Sequence, residues 1–344
     1  MNVVYYSSDF FSEICGVAIE SLCENNQDAE HITIYIVEDQ IADINKARLQ
    51  KIAEHFDREI VFIKAPSQEE VYPGIKMNLG KTFTRMILGE ILPPEVDRVL
   101  SLDSDTLVMD SLREMYETDF DDDEFVAGVY DCLGKAMQKR VLHAPDDMNY
   151  CNAGVFLIDL NKWRKADMGK KLEQAVRDIA DGKHVMYFLE QDLMNLLFYG
   201  HLKLLHPRYN LLTSIYLFDY PEMMMMKKPT AYYQKDEIQA AKNHPALLHA
   251  TTCFYVRKRM WVKDSDHPYA AFYMDFRSRT PWKDTDPIHD ARTGKKKIYS
   301  ELWHCMPRKW AVRMAAFMIN AVRPLYAWIT AKASITTVAN QSST

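Results

Sequence analysis

The sequence predicts an α/β fold with a mainly parallel central sheet flanked by helices, followed by an amphipathic helical tail. Three observations point there. Strand-like and helix-like periods alternate from the amino terminus; the stretch RVLSLDSDTLV at 98–108 ends a buried-strand pattern in two carboxylates; and 48% of residues are hydrophobic with 26% charged, the balance of an ordinary globular chain.

Residues 2–6, NVVYY, have the β-branched and aromatic content of a strand, and 14–22 carry a helical pattern. ITIYIVE at 32–38 is a second strand, 41–56 a helix and EIVFIKA at 59–65 a third strand, an alternation that favours parallel pairing. A helix over 81–91 leads through Pro93 and Pro94 into the strand before Asp103. Further strands are expected at 124–131 and 150–160, and helices at 161–180 and 189–199. Beyond Tyr209 the pattern becomes aromatic, Met-rich and broken by proline, which reads as loops over the carboxyl end of the sheet. The run Met223 to Met226 suits core filling or an adaptable binding surface.

The 344 residues suffice for one large α/β domain with an appendage. The six cysteines show no CxxC spacing, so neither a structural zinc site nor a disulfide framework is indicated, and a reducing cytoplasm fits. The opening NVVYYSSDFF lacks a basic segment followed by an apolar one, so no secretory signal is expected. Net charge is −6, yet past Glu301 there is no acid and five basic residues, which leaves −11 on the preceding body. An acidic body speaks against nucleic acid as a partner.

Asp103 and Asp105 are the most informative pair. On an extended backbone residues i and i+2 point the same way, so a strand ending at Leu102 would present both carboxylates to one divalent cation. Asp-x-Asp also occurs at Asp119/Asp121, Asp121/Asp123, Asp264/Asp266 and Asp284/Asp286, but there among polar residues suited to turns and caps. Ligands of open α/β sheets bind beyond the carboxyl ends of strands, which favours the first pair, although an Asx-turn closing a core strand has the same local sequence.

From Arg308 to Lys332 the apolar residues Trp310, Met314, Phe317, Met318, Leu325, Trp328 and Ile329 are interspersed with basic ones. Arg313, Asn320, Arg323 and Pro324 interrupt any bilayer span. A kinked basic amphipathic helix on an anionic membrane surface is expected, with docking on the chain's own domain as the alternative. The boundaries are a body at 1–285 and a membrane-association tail at 286–344, with the protein cytoplasmic and peripheral to the inner face of the cell membrane.

Six segments in order, YYSSD near the start, FTRM at 83–86, LSLDSDTLV, YCNAGVFLIDLNKW at 150–163, LEQDLMN at 189–195 and LLHA at 247–250, resemble the family 8 retaining glycosyltransferases. That group includes bacterial lipopolysaccharide galactosyl- and glucosyltransferases. The resemblance spans about residues 2–261 and implies a GT-A type nucleotide-sugar-binding fold. It implies that Asp103, Asp105 and His249 hold Mn²⁺, with Mg²⁺ as the alternative, against the diphosphate of a UDP-hexose. A set of two carboxylates and an imidazole suits Mn²⁺.

The resemblance also places Asp9 at the uracil ring, Ser104 and Arg85 with the diphosphate or donor sugar, and Asp131, Asn152 and Gly154 along the sugar. Gln191 matches the amide beneath the anomeric carbon and Glu190 a neighbouring acid, where many relatives have Asp. Two departures stand out. Phe10-Phe11 replaces the usual Asn-Tyr after the first strand, and HATTCFYVRKRMW replaces a shorter Gly-containing loop ending in Lys-Pro-Trp. Lys258 or Arg259 would then supply the positive charge beside the diphosphate, with Trp261 as anchor.

The implied reaction moves glucose or galactose from a UDP-sugar to a saccharide acceptor, which a lipid or protein carries, with retention of configuration. Gln is a poor nucleophile, so departure and attack on the same face, with Gln191 stabilising the cationic centre, is the expected course. Two other readings share parts of the pattern. A non-catalytic nucleotide-sugar or glycan-binding protein would keep the pocket without turnover. A haloacid-dehalogenase-type phosphatase would use the first Asp of DxDx[TV], but Leu107 stands where that motif needs Thr or Val.

Overall fold

A computed structural model describes residues 1–327 and 329 apart from 77, 78, 80, 141, 184 and 185. Trp328 and Lys332 of the predicted tail lie outside the described residues. Ten strands are described: β1 Asn2–Ser8, β2 Thr33–Asp39, β3 Glu59–Lys64, β4 Arg98–Leu102, β5 Thr106–Val108, β6 Val126–Tyr130, β7 Cys151–Asp159, β8 Leu202–Leu204, β9 Leu211–Leu212 and β10 Leu247–His249.

The large sheet has the order β3-β2-β1-β4-β7-β6-β8. All neighbours pair parallel except β7, which runs antiparallel to both β4 and β6. The chain builds outward from β1 to β3 and then returns to lay β4 on the other side of β1. Such a reversal of strand order opens a crevice at the carboxyl ends of the two central strands. Asp9 follows β1 and Asp103 follows β4. The antiparallel β7 starts where they end, with Val155 opposite Leu102, so residues 152–154 reach the same edge.

Alternation along the strands feeds two cores. Val3 and Tyr5 join Ile14, Val17, Leu22, Leu100 and Leu102 on one face, while Val4 joins Val99, Phe156, Ile158 and Trp163 on the other. The second, small sheet is β5-β10-β9, in which His249 pairs with Thr106 and with Leu212. This pairing carries His249 from far along the chain to the turn that holds the carboxylates.

Several expectations are corrected. The pattern at 81–91 forms a 3₁₀ segment, Lys81–Ile87, then one turn of α-helix, Leu88–Ile91. The helix expected over 161–180 is two, Leu160–Lys165 and Met168–Ala180, divided at Asp167, whose φ of 53° is left-handed and cannot continue a helix. The region past Tyr209 is loop only in part, including 250–269 beside the cavity. It holds helices Thr213–Leu217, Tyr220–Lys227, Lys235–Asn243 and Ala270–Arg277, two of them opened by capping boxes, Asp219 with Glu222 and Gln234 with Glu237. These elements extend the first core and do not build another. In the Met run, Met223 and Met226 are buried one helical turn apart while Met225 is exposed.

Helix Ser12–Glu24 packs so closely on the late segment that a Cβ at Gly16 would lie 2.5 Å from Cζ3 of the buried Trp282 ring. Overpacking costs about 1–3 kcal/mol, against roughly 1 kcal/mol that alanine gains in helix propensity. Gly16→Ala is therefore expected to lower the urea midpoint, whereas a midpoint raised by the propensity gain would show that Trp282 yields.

Candidate functional site

The carboxylates converge differently from the expected strand alternation. β4 ends at Leu102, and a turn closed by Thr106 N donating to Asp103 O at 3.2 Å separates the two acids. The Thr106 hydroxyl donates to the same carbonyl at 2.7 Å, and Asp103 N donates to Gly154 O at 2.8 Å. Both carboxylates then face His249, whose Nε2 lies 3.5 Å from Asp103 Oδ2 and 3.3 Å from Asp105 Oδ1. Among the described residues, candidate ligand atoms of these three lie within 4.8 Å of one another.

The hydrogen-bond directions around this triad can be worked out from backbone donors, which have no choice of role. Gly154 N donates to Asn152 Oδ1 at 3.1 Å, so that atom is an oxygen acceptor. The Asn210 atom facing it at 3.1 Å must then be the Nδ2 donor, which leaves Asn210 Oδ1 toward His249 Nδ1 at 2.9 Å. Nδ1 therefore carries a hydrogen. The remaining nitrogen, Nε2, holds a lone pair directed at two carboxylates, a repulsive arrangement unless a proton or a cation lies between them.

The donor set thus fits a divalent ion: one bare imidazole nitrogen and two carboxylates, the ring nitrogen opposite held by a partner, as is usual for metal-bound histidine. Without the ion a proton takes its place. Burial alone would lower the His249 pKa, but Asp103 and Asp105 outweigh it and push it up to about 9. Asp103 is partly buried, which would raise its pKa; Arg85 and His249 instead hold it well below the usual carboxylate range.

Arg85 is buried behind the triad. It pairs with Asp103 through Nη2 and with Glu190 through Nη1 at 2.8 Å, donates to Ala153 O at 2.9 Å, and lies over the Tyr6 ring at 5.0 Å. Gly154 sits against the triad, where a Cβ would overlap the His249 ring and approach Asp103 Oδ2 at 2.5 Å. Only glycine leaves room here.

Gln191 opens helix Leu189–Leu197 and is held at both ends of its amide. Its Oε1 accepts from Ala153 N at 3.0 Å and from Asn152 Nδ2 at 3.1 Å; its Nε2 donates to Asp131 Oδ2 and to the Tyr150 hydroxyl, each at 3.0 Å. Tyr150 in turn donates to Asp192 Oδ1 at 2.5 Å. Burial pushes the Asp192 carboxyl up to about 6, against the hydrogen bonds from Tyr150 and the Phe188 and Tyr187 amides.

A cavity of about 400 Å³ is bordered by Arg85, Asp103, Asp105, Asn152, Gly154, Glu190, Gln191, His249 and Arg259, with Asp131 behind Gln191 and outside the lining. The choice between Lys258 and Arg259 is a matter of direction. Arg259 enters the cavity, 3.7 Å from Asp105 Oδ2, braced by Ala250 O and stacked over Trp261 at 5.2 Å. Lys258 turns away, and its Nζ caps the carbonyls of Lys263 and Asp264. The Ser104 hydroxyl also points elsewhere, donating to Tyr6 O at 2.7 Å. Asp9 stands outside the cavity lining on the same sheet edge, accepting from Ala42 N at 2.9 Å and Asn45 Nδ2 at 2.8 Å, which hold its carboxyl below its ordinary pKa.

Asn210 and Tyr150 were missed as contributors to the site. Tyr150 opens a segment singled out for its asparagine and glycine. Asn210 stands beside the apolar pair Leu211-Leu212 and is fully buried, so a lone amide at the start of a core strand was the available signal.

A sheet reversal with acids and an imidazole converging at its carboxyl edge is the arrangement of an α/β fold with a candidate divalent-cation site. Residues 2–252 match the profile of Glycosyl transferase family 8, and the chain belongs to that family. It is 22% identical over 284 residues to General stress protein A of Bacillus subtilis, covering 82% of this chain and 94% of that protein. It is 25% identical over 310 residues to the lipopolysaccharide 1,2-glucosyltransferase of Escherichia coli K12, covering 88% and 85%. Among solved structures, the galactosyltransferase LgtC in complex with donor and acceptor sugar analogues has the same fold, with a TM-score of 0.67 and 24% identity over 82% of this chain and 99% of that one. The GT-A expectation is met, and the phosphatase alternative loses its basis.

The raised His249 pKa has a defined consequence for the metal-free protein. Its folded value of about 9 exceeds the ordinary 6.5, so the proton's stabilisation is full below pH 6.5 and disappears as pH rises through 9. In EDTA, wild type is expected to lead His249→Gln by roughly 2–5 °C in Tm at pH 6, and the lead should shrink toward pH 10. A gap constant from pH 6 to 10 contradicts this charge arrangement.

Proposed function

We propose that this glycosyltransferase is a retaining UDP-hexose transferase assisted by Mn²⁺, adding glucose or galactose to a glycan on a lipid or protein carrier. The observation that carries the reading is the bare His249 Nε2 facing Asp103 and Asp105 in a cavity that also contains Arg259 and the locked Gln191 amide. A bound Mn²⁺ would neutralise charge developing on a departing diphosphate. Arg259 adds a second positive group on that side, and its guanidinium fork suits phosphate oxygens.

Asp131, Asn152 and Glu190 offer carboxylate and amide groups for sugar hydroxyls, and Gly154 lets the donor approach the triad. Gln191 Oε1 already accepts two hydrogen bonds, which leaves it less nucleophilic still. This supports same-face departure and attack, with the amide dipole facing the cationic centre and no covalent intermediate. The acceptor proton would pass to the departing phosphate. Asp9 remains our candidate at the base, reached beyond the cavity along the sheet edge.

We further propose that the tail docks on an anionic membrane, through a face the body leaves uncovered. Helix Arg308–Phe317 buries Ala311, Val312 and Ala315 and exposes Trp310, Met314 and Phe317 beside Arg313. Among the described residues no helix is long and apolar enough to cross a membrane, so surface attachment suits this face.

Two measurements test these readings. Purified protein with a panel of UDP-sugars is expected to release UDP from one UDP-hexose with Mn²⁺, and to lose at least about 100-fold of that rate in EDTA or as Asp105→Ala. Absence of UDP release with every sugar would leave a nucleotide-sugar or glycan-binding protein as the better account. For the tail, the protein should co-sediment with phosphatidylcholine vesicles containing phosphatidylglycerol, and the double variant Trp310→Ser, Phe317→Ser should not. Equal sedimentation of the two proteins would refute docking by this face.

A further inference from the structure

Asn210 is buried with no exposed surface, in the first residues after the 3₁₀ turn Pro207–Tyr209, and spends its amide on two parts of the cavity at once. Its Oδ1 accepts from His249 Nδ1 at 2.9 Å, and its Nδ2 donates to Asn152 Oδ1 at 3.1 Å. From Asn152 the chain continues to Gln191 Oε1, then from Gln191 Nε2 to Asp131 and Tyr150, and from Tyr150 to Asp192. The directions in this chain are set at two places by backbone N–H groups, Gly154 on Asn152 and Ala153 on Gln191.

We infer that Asn210 is a positioning residue that turns His249 Nε2 toward the cation site and, through Asn152, keeps the Gln191 amide in register with it. The first half follows from orientation: an amide whose nitrogen is turned to Asn152 presents its oxygen to the imidazole, and an oxygen there can face only an N–H. A ring flipped to present Nδ1 to the carboxylates would lose that partner. The second half follows from the partners Asn152 holds, since its oxygen accepts from Asn210 and Gly154 while its nitrogen donates to Gln191 and keeps one hydrogen for the donor sugar. The metal site and the amide beneath the donor sugar are thus coupled through a buried side chain that touches neither cation nor sugar. The inference rests on the cation-site reading above for its first half and on the transfer reading for its second.

Two substitutions separate the halves. Asn210→Asp keeps an oxygen for His249 Nδ1–H and removes the donor to Asn152; Asn210→Leu removes both. Mn²⁺ alone is titrated into each full-length protein and free ion is read by electron paramagnetic resonance, with Tm in EDTA as the control for folding. Asn210→Leu is expected to weaken Mn²⁺ binding about 10- to 100-fold, and Asn210→Asp to stay within about threefold of wild type on the same scale. With the donor identified, Asn210→Asp is expected to lower kcat about 10- to 100-fold at unchanged donor KM.

Equal loss of Mn²⁺ affinity in both variants, or none in Asn210→Leu, overturns the first half, because a residue with only a packing role does not distinguish Asp from Leu by the acceptor it retains. An unchanged kcat in Asn210→Asp overturns the second. Wild type that binds Mn²⁺ but releases no UDP defeats the transfer reading and with it the second half, while the Mn²⁺ comparison still decides the first. Wild type that binds no Mn²⁺ overturns the inference together with the cation site.

Discussion

Everything at the carboxyl edge of the sheet depends on keeping Asp103 ionised in a partly buried place. A carboxylate taken out of water is costly unless charge and hydrogen bonds replace the solvent. Here Arg85 pairs on one side and His249 faces the other, while the Asp103 backbone is tied to Gly154. Arg85 is itself buried and would be untenable alone, and Glu190 supplies its second counter-charge. The cluster is therefore not a row of independent ligands. Removing one charge exposes the desolvation cost of the next, so the geometry that can grip a cation is also what makes the burial tolerable.

That electrostatic arrangement constrains the backbone around it. β7 must run antiparallel to β4 for its first residues to arrive beside Asp103, and Gly154 must lack a Cβ for the His249 ring to fit. The small sheet has the complementary task. With only three-residue and two-residue strands it contributes little ladder energy, yet the pairing of His249 with Thr106 and Leu212 sets the imidazole at the turn. Packing of β10 into the first core, with Leu247 and Leu248 buried, gives this short strand the stability its hydrogen bonds alone would not.

Much of this was legible in the sequence, and what was not has a physical cause. The β-α-β start and the carboxylate pair are local signals of period and motif, whereas His249 and the Gln191 segment stand out only through the resemblance to family 8, whose segments they match in order along the chain. The division of 161–180 at Asp167 rests on one left-handed residue that hydrophobic periodicity does not register. The elements past Tyr209 are separated by irregular segments and a proline-broken pattern that hides their periods, although the capping boxes at Asp219 and Gln234 mark two helix starts. Whether Lys258 or Arg259 enters the cavity depends on side-chain direction in a loop, where adjacent positions look alike in sequence. Asn210 was invisible for a deeper reason: its meaning lies in partners 39 and 58 residues away along the chain, and only their three-dimensional meeting turns an ordinary amide into a junction.

The tail shows how a count of charges changes once partners are known. Of the five basic residues past Glu301, Arg308 is spent within the molecule: it pairs with Glu222 at 2.6 Å, donates to Leu217 O and lies over the Phe218 ring at 4.9 Å. Asn320 similarly donates to Met226 O at 2.8 Å. The two expectations for the tail, docking on its own domain and facing a lipid surface, are therefore not exclusive, because they use different faces of one helix. At about 1 kcal/mol per basic residue near an anionic leaflet, losing Arg308 to Glu222 shifts weight from electrostatics to the exposed Trp310, Met314 and Phe317. Attachment through this face should accordingly be less sensitive to salt than a tally of the sequence would imply, and more sensitive to loss of its aromatic rings.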